Sequence, residues 1–275
     1  MLAVAFLPLR DVQPPQRATV VYDEWLERLE SELRRSEVDR NALCVRALRD
    51  IHLPQFAERD PDNLPSGARL LMTNLDPRNV TLEPEYYAEI DRDRYYRVKP
   101  LIWLWQMFDR SPLGQNVHLG VRLRRLLAPH IFKRCGRNFK CFHFVELSFG
   151  YNLEVGDDVV IHRHVLLDDR GGIELGDRVS ISDYANIYSH THSIVDQRDV
   201  TPARTVIEDD VRITYHATVL AGVRVGRNAM VGAGAVATRN VRPYHVNVGI
   251  PAKSVRVKPT APDASETTTV ERAES

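Results

Sequence analysis

The sequence predicts a mainly β fold, a parallel β-helix of about five coils with an α-helical amino-terminal domain. From Val225 the chain reads V-G-R-N-A-M, V-G-A-G-A-V, A-T-R-N-V-R, and from Leu175 it reads L-G-D-R-V-S, I-S-D-Y-A-N, I-Y-S-H-T-H. An aliphatic residue opens nearly every six-residue unit, and a small or β-branched residue follows four places later. Such units bury their apolar sides only by stacking, so three units per turn predict a triangular coil.

The same period can be followed backwards along the chain, where it slips by two residues once in each turn. The phrases F-G-Y-N-L-E and R-G-G-I-E therefore mark the same corner in successive coils, and glycine and Asn suit such corners because they tolerate positive φ. An ordinary β-sandwich has no reason to keep this period for so long. The turns open 20 residues apart, at Cys135, Val155 and Leu175.

One interruption divides the coil. After His192 the period stops, and it resumes at Ile207 and continues to about Val248. We therefore expect residues 193–206 to form a loop outside the coil. Loops that interrupt a rigid scaffold often carry function.

Residues 1–130 lack the period and are predicted to form a mostly helical domain. An amphipathic helix is indicated by apolar residues at helical spacing, namely Val21, Trp25, Leu29 and Leu33. Prolines predict loops, at Pro54, Pro61, Pro65 and Pro77. Further helices are predicted over residues 84–90, 98–109 and 117–133.

The apolar run at residues 101–108 has two interpretations. In the first, it is a helix that packs on the first coil and covers its open end, because unpaired strand edges invite aggregation. In the second, it is a weak membrane-surface anchor, because it contains Trp103 and Trp105 and is followed by the basic stretch R-L-R-R at residues 122–125.

The amino-acid composition limits the binding partners and the cellular compartment that we expect for this chain. Lys plus Arg and Asp plus Glu both number 37, so no global charge draws the chain to nucleic acid. The three cysteines have no zinc-type spacing and imply no disulfide framework, which favours a reducing cytoplasm and no metal site. The first residues lack a basic lead and are not expected to be a signal peptide. The polar tail, residues 258–275, is expected to be disordered.

Two phrases identify a family resemblance. The closing phrase V-G-A-G-A-V-A-T-R-N-V-R-P-Y-H-V-N-V-G-I-P-A-K and the phrase F-G-Y-N-L-E-V-G-D-D-V resemble the hexapeptide-repeat acyltransferases, in particular the maltose, galactoside and nodulation acetyltransferases. The resemblance covers residues 135–257. It implies a left-handed β-helix acyltransferase domain, a homotrimer with active sites between neighbouring copies, acetyl-CoA as donor, and a hydroxyl or amine of a sugar, glycan precursor or small metabolite as acceptor.

Acyl transfer from a thioester needs a base near neutral pH, and histidine is the usual one. The unit I-Y-S-H-T-H offers His190 and His192. In the family motif the catalytic histidine follows the opening residue of the unit by five places, which assigns the role to His192. His190 is then either its partner or a rival base, and the remaining alternative is that both are surface histidines without chemistry.

The resemblance also implies residues that bind acetyl-CoA. Tyr215 stands beside the pantetheine arm, where relatives often have Ser, and the small side chain of Ala233 lets the donor approach backbone groups. The remaining positions would meet the nucleotide end and its phosphates through charge-assisted hydrogen bonds; they are Thr238, Arg239, Lys253 and Arg256.

The acceptor site departs from the family pattern. In the stretch I-H-R-H-V-L-L-D-D, His162 replaces an Asn of the sugar-acetylating relatives, and Asp169 or Asp168 stands for their acid.

Two other functions remain open. One is a γ-type carbonic anhydrase, which needs three histidines converging on one metal ion between subunits. The other is a β-helix scaffold that has lost its chemistry.

Overall fold

The computed structural model describes residues 13–56, 59–196 and 198–262. The expectation about a signal peptide lies outside the described residues, as does the predicted disorder of residues 263–275. Within the described part of the tail, Lys258 Nζ donates a hydrogen bond to Asn228 Oδ1 at 2.8 Å. The chain divides into two compact units. The first contains the described residues up to Lys133 with Lys140–Phe144 and Ser148–Tyr151, and the second contains the described remainder.

The first unit is built from helices. The α-helices are α1 (Gln16–Leu33), α2 (Arg40–His52), α3 (Ser66–Leu75), α4 (Arg92–Asp109) and α5 (Val117–Ile131). Short 3₁₀ helices cover Pro54–Phe56, Pro61–Asn63, Pro77–Asn79 and Glu83–Tyr86.

Helix α3 occupies a region where the prolines predicted loops, and helix α2 lies in a region for which the sequence analysis made no prediction. The prolines lie at the helix ends: Pro54 follows α2, and Pro65 immediately precedes α3. The side chain of Asp39 caps the N-terminus of α2, because it accepts hydrogen bonds from the N–H groups of Asn41 and Ala42. The helix predicted over 98–109 begins six residues earlier, at Arg92, and contains Pro100 in its interior.

The apolar run 101–108 lies within α4, so its helical prediction is confirmed. Trp103 is 8% exposed and Trp105 is 1% exposed. A membrane-surface anchor requires exposed rings at the interface, so the structure contradicts that interpretation of the run. Among the described residues no helix is long and apolar enough to cross a bilayer.

Short strands build the second unit, apart from β2. They are β1 (Arg134–Cys135), β2 (Lys140–Cys141), β3 (Glu146–Leu147), β4 (Leu153–Val155), β5 (Val160–Ile161), β6 (Leu166–Asp168), β7 (Ile173–Leu175), β8 (Ser180–Ile181), β9 (Asn186–Tyr188), β10 (His190–His192), β11 (Val200–Pro202), β12 (Thr205–Ile207), β13 (Arg212–Ile213), β14 (Thr218–Val219), β15 (Arg224–Val225), β16 (Met230–Val231), β17 (Val236–Ala237), β18 (His245–Val248) and β19 (Lys253–Val257).

Three parallel sheets form the faces of the coil. The first face has the order β1-β4-β7-β12-β15, the second contains β5-β8-β13-β16-β18, and the third has the order β3-β6-β9-β14-β17. On the first face a bridge between Val225 and Val241 adds a sixth level. The fold is the predicted left-handed parallel β-helix, with about six turns where the sequence indicated about five.

The six-residue period corresponds to the core of the coil. Residues that open the units are buried, as Val155, Ile181 and Val231 illustrate, and so are the residues four places later, such as Val159. Corners hold the residues with positive φ, including Asp158 at 59°. Side chains thus point inward at two positions in each unit, while the corners present polar and aromatic groups outward.

Candidate active site

The histidine unit lies where the chain leaves the coil. Strands β6 and β9 are parallel neighbours, with Asp168 paired to Tyr188. Directly after β9, strand β10 pairs antiparallel with β11, so that His190 lies opposite Pro202 and His192 opposite Val200. The excursion predicted at 193–206 therefore begins with the histidines themselves, and it ends as β12 rejoins the first face.

Asp168, His190 and Arg170 form a hydrogen-bonded chain at this corner. Asp168 is 3% exposed, and its Oδ2 contacts His190 Nδ1. The other ring nitrogen, Nε2, lies 3.1 Å from Arg170 Nη1. A guanidinium can only donate hydrogen bonds, so Nε2 must accept, and the hydrogen of a neutral ring then resides on Nδ1 and points at the carboxylate. Both nitrogens of His190 are therefore engaged.

His192 has a different environment. Its side chain is exposed, and among the described residues no group forms a hydrogen bond with its ring. The ring lies edge-on to that of His190, with 5.1 Å between centroids and an interplanar angle of 82°. Because its nitrogens are available to an incoming proton donor, His192 meets the geometric requirement for a general base better than His190 does.

Close packing of the backbone fixes the corner beneath these side chains. Ser189 is buried; its hydroxyl donates to the carbonyl of Asp168 and accepts from the N–H of Gly171 at 2.8 Å. A Cβ at Gly171 would lie 2.0 Å from the carbonyl oxygen of Ser189 and 2.5 Å from the nitrogen of Ala203. Only glycine fits where the outgoing and returning strands meet.

The two residues predicted to bind the acceptor are not brought together. Asp169 is 0% exposed and accepts a hydrogen bond from the N–H of Asn152 at 3.0 Å, while Asp168 is the acid that faces the imidazole. His162 lies on the corner between the second and third faces. Burial lowers the pKa of His162, and the charge of Asp183 opposes this shift.

The corner that holds His162 also carries a stack of rings that the sequence analysis missed. Tyr184 lies between His164 and His216, with centroid distances of 4.8 and 4.9 Å and interplanar angles of 6° and 5°. All three residues have positive φ. Tyr215 meets Tyr184 edge-on at 6.0 Å. The signal was present in the sequence, because these rings occupy the same position in successive turns.

The residues predicted to bind acetyl-CoA are all exposed. Tyr215, 52% exposed, and Ala233 lie on the corner between the second and third faces. Thr238 and Arg239 follow β17, and Lys253 and Arg256 lie on β19, which pairs antiparallel with β18. Arg239, Lys253 and Arg256 form no ion pair with a described residue. Their charges are therefore available to a polyanion.

The candidate base and the pantetheine position lie on different corners of the triangle. His192 follows the third face, whereas Tyr215 and Ala233 precede it. A metal centre finds no support, because in the described ranges no three His, Cys, Asp or Glu side chains are grouped to hold one ion.

Comparison with known proteins gives several relatives, although no protein-family model matches this chain. Galactoside O-acetyltransferase of Escherichia coli (strain K12) is 25% identical over 140 residues, 50% of this chain and 69% of that protein. The Saccharomyces cerevisiae protein YJL218W is 28% identical over 194 residues, 69% of this chain and 95% of that protein. The latter match is longer than the segment 135–257, so the similarity extends beyond the β-helix.

A solved structure shares the architecture. The hexapeptide-repeat acetyltransferase VCA0836 of Vibrio cholerae O1 biovar eltor, solved with acetyl coenzyme A, is 25% identical with a TM-score of 0.53. The match covers 62% of this chain and 90% of that one.

Proposed function

We propose, from the similarity of this chain to the hexapeptide-repeat acetyltransferases, that it transfers an acetyl group from acetyl-CoA to a hydroxyl or amine, with His192 as general base. The acceptor class that we propose is a sugar, a glycan precursor or a small metabolite. The observation that carries the assignment of the base is the contrast between the two histidines: both nitrogens of His190 are engaged, and those of His192 are not.

In the reaction, a ring nitrogen of His192 takes the proton of the acceptor as its oxygen or nitrogen attacks the thioester carbonyl. The new C–O or C–N bond forms, the C–S bond breaks, and the departing thiolate receives the proton from the imidazolium. A base in this position contributes about 10²–10⁴-fold to the rate. His190 acts as a positioning residue, because the ring fixed by Asp168 and Arg170 limits the orientations of the neighbouring ring of His192.

The placement of the donor residues supports a site completed by a second copy of the chain. The candidate base and the pantetheine residues are exposed on separate corners of the coil, and adjacent coils in an oligomer would bring one corner against another. We propose a homotrimer, in which each copy supplies His192 to one slot and Tyr215 and Ala233 to the next. The exposed cations Arg239, Lys253 and Arg256 would bind the phosphates.

The test is thiol release from acetyl-CoA with a panel of sugars, nucleotide-sugars and amines, using the wild type, His192→Ala and His118→Ala. We expect His192→Ala to lose about 10²–10⁴-fold in kcat with unchanged melting temperature and oligomer mass, because this side chain is exposed. His118 lies in the helical unit and serves as the matched control. An active His192→Ala enzyme refutes the base, and a wild type that binds no acyl-CoA favours the scaffold alternative.

A further inference from the structure

A second feature with binding chemistry lies in the helical unit. A cavity of about 280 Å³ opens between the start of α2, the first two turns of α4 and the end of α5. Its polar lining is basic: Arg40, Arg94, Arg97, His130 and Lys133, with the ring of Tyr151 at one side. Every one of these residues belongs to the first unit. We call this feature the basic cavity.

The charges of the three arginines in the basic cavity are not neutralised by any carboxylate of the described residues. No carboxylate is among its lining residues, and Arg40, Arg94 and Arg97 form no ion pair with a described residue. Since the chain as a whole has a net charge of zero, this excess is local. Like charges held together without counter-charges repel each other, and an anion placed between them would relieve that repulsion.

A neighbouring cavity provides an internal comparison. About 420 Å³ in volume, it lies between α1 and α2 and is also lined by arginines. There Arg28 pairs with Asp50 at 3.3 Å, and Arg46 pairs with Glu32. Arg28 and Arg46 in this cavity are therefore paired with carboxylates, whereas Arg40, Arg94 and Arg97 in the basic cavity are not paired with a described carboxylate.

Two of the arginines are held in place by hydrogen bonds. Arg40 Nη1 donates to the carbonyl oxygens of Arg97, at 2.8 Å, and of His130, at 3.2 Å. Arg94 Nη2 donates a hydrogen bond to the carbonyl oxygen of Tyr151 at 2.7 Å, and the guanidinium carbon of Arg94 lies 4.3 Å from the centroid of the Tyr151 ring. Burial and the charge of Arg97 lower the pKa of Arg40. Two guanidinium groups are thus preorganised, and cost little entropy to order around a ligand.

We propose that the basic cavity binds a phosphate-class oxyanion, namely the phosphate or pyrophosphate group of a soluble molecule or of a lipid headgroup. Guanidinium groups recognise such oxyanions through paired, charge-assisted hydrogen bonds. Arg94 and Arg97 are three residues apart on α4 and so project from neighbouring positions of one helix face. The volume is below the ~300–1,000 Å³ of sites for drug-sized ligands, which fits a compact headgroup.

Calorimetric titration of the full chain with pyrophosphate and with orthophosphate, in buffer of physiological ionic strength, tests this site. The variant is Arg97→Gln, because Arg97 is exposed and makes no side-chain hydrogen bond with a described residue. The matched control is Arg92→Gln, on the same helix but outside the cavity. Sedimentation with phosphatidylcholine vesicles, with and without phosphatidic acid, forms the second arm.

We expect saturable binding of the anion, and we expect Arg97→Gln to weaken this binding about 10-fold, as loss of a hydrogen bond to a charged group does. The control Arg92→Gln should bind the anion as tightly as the wild type. Both variants should have the melting temperature of the wild type. Binding of the free anions assigns a soluble ligand, and Arg97-dependent binding to the phosphatidic acid vesicles alone assigns a lipid headgroup. Absence of binding in both arms overturns the proposal, as does binding that Arg97→Gln leaves unchanged. These readouts do not involve acetyl transfer, so the site stands or falls separately from the proposed activity.

Discussion

Asp168 and His190 are 22 positions apart in the chain and in direct contact in the fold, with the carboxylate of Asp168 accepting a hydrogen bond from Nδ1 of the imidazole. The contact follows from the coil, because the parallel pairing of β6 with β9 brings the end of one turn above the end of the turn before it. Arg170 closes the chain of contacts on the other nitrogen. The two neighbours therefore set the orientation of the His190 ring and the nitrogen that carries the hydrogen of its neutral form.

Replacing the acid with its amide should disturb this arrangement without changing its size. In Asp168→Asn, an amide N–H facing Nδ1 would move the ring hydrogen to Nε2, where it would meet the N–H of Arg170. We expect kcat to fall at least about 10-fold because the ring next to His192 loses its fixed orientation, with little change in KM. Steady-state kinetics measure this, with Asp50→Asn in the helical unit as control. Full activity of Asp168→Asn would remove His190 from its positioning role.

The proposed phosphate contacts can be tested with two donors. Lys253→Gln removes one exposed cation and should raise KM for acetyl-CoA about 10-fold, as loss of a charged hydrogen bond does, with kcat retained. Acetylpantetheine, which lacks the nucleotide phosphates, should be used equally well by the variant and the wild type. An equal loss with both donors would mean that Lys253 acts through the fold rather than through a phosphate.

Two glycines offer a matched pair for stability. Gly171→Ala places a Cβ 2.0 Å from a backbone oxygen, so we expect a loss of about 1–3 kcal/mol in the free energy of unfolding, as in overpacked sites. Gly67→Ala places its Cβ in open space on helix α3 and should stabilise the chain by up to about 1 kcal/mol. Chemical denaturation of both variants provides the measurement. A tolerated Gly171→Ala would contradict the close approach of the two strands.

The lowered pKa of His162 predicts an acid-dependent loss of stability. Burial lowers this pKa below the ordinary histidine value, partly opposed by Asp183, so the folded state binds the proton less readily than the unfolded state. Stability therefore falls as the pH drops through about 6.5. His162→Gln should show a flatter dependence of the free energy of unfolding between about pH 7.5 and 5.5. Other histidines contribute to both slopes, so the difference between the two proteins is the quantity to measure; identical slopes would contradict the assignment.

The sequence alone determined the coil. A six-residue period of aliphatic openings is a local pattern, and it specified which residues face inward, from Val155 to Val231, because each unit must stack on the next to bury its apolar side. It also located the histidine unit and the interruption that follows it. The same kind of reasoning failed for α3, because prolines that lie at or beyond the helix ends predicted loops there, and it gave no prediction for α2.

The tertiary structure alone decided which of those residues meet. Stacking of turns brought Asp168, rather than Asp169, to the ring of His190, and packing of the helices gathered arginines from α2 and α4 around one cavity. No local pattern encodes these contacts, because each joins residues that are distant in the chain and adjacent only after the coil and the helices have packed. Side-chain direction at a corner is likewise set by the neighbouring turn, so the choice between two adjacent acids or two nearby histidines required the folded chain.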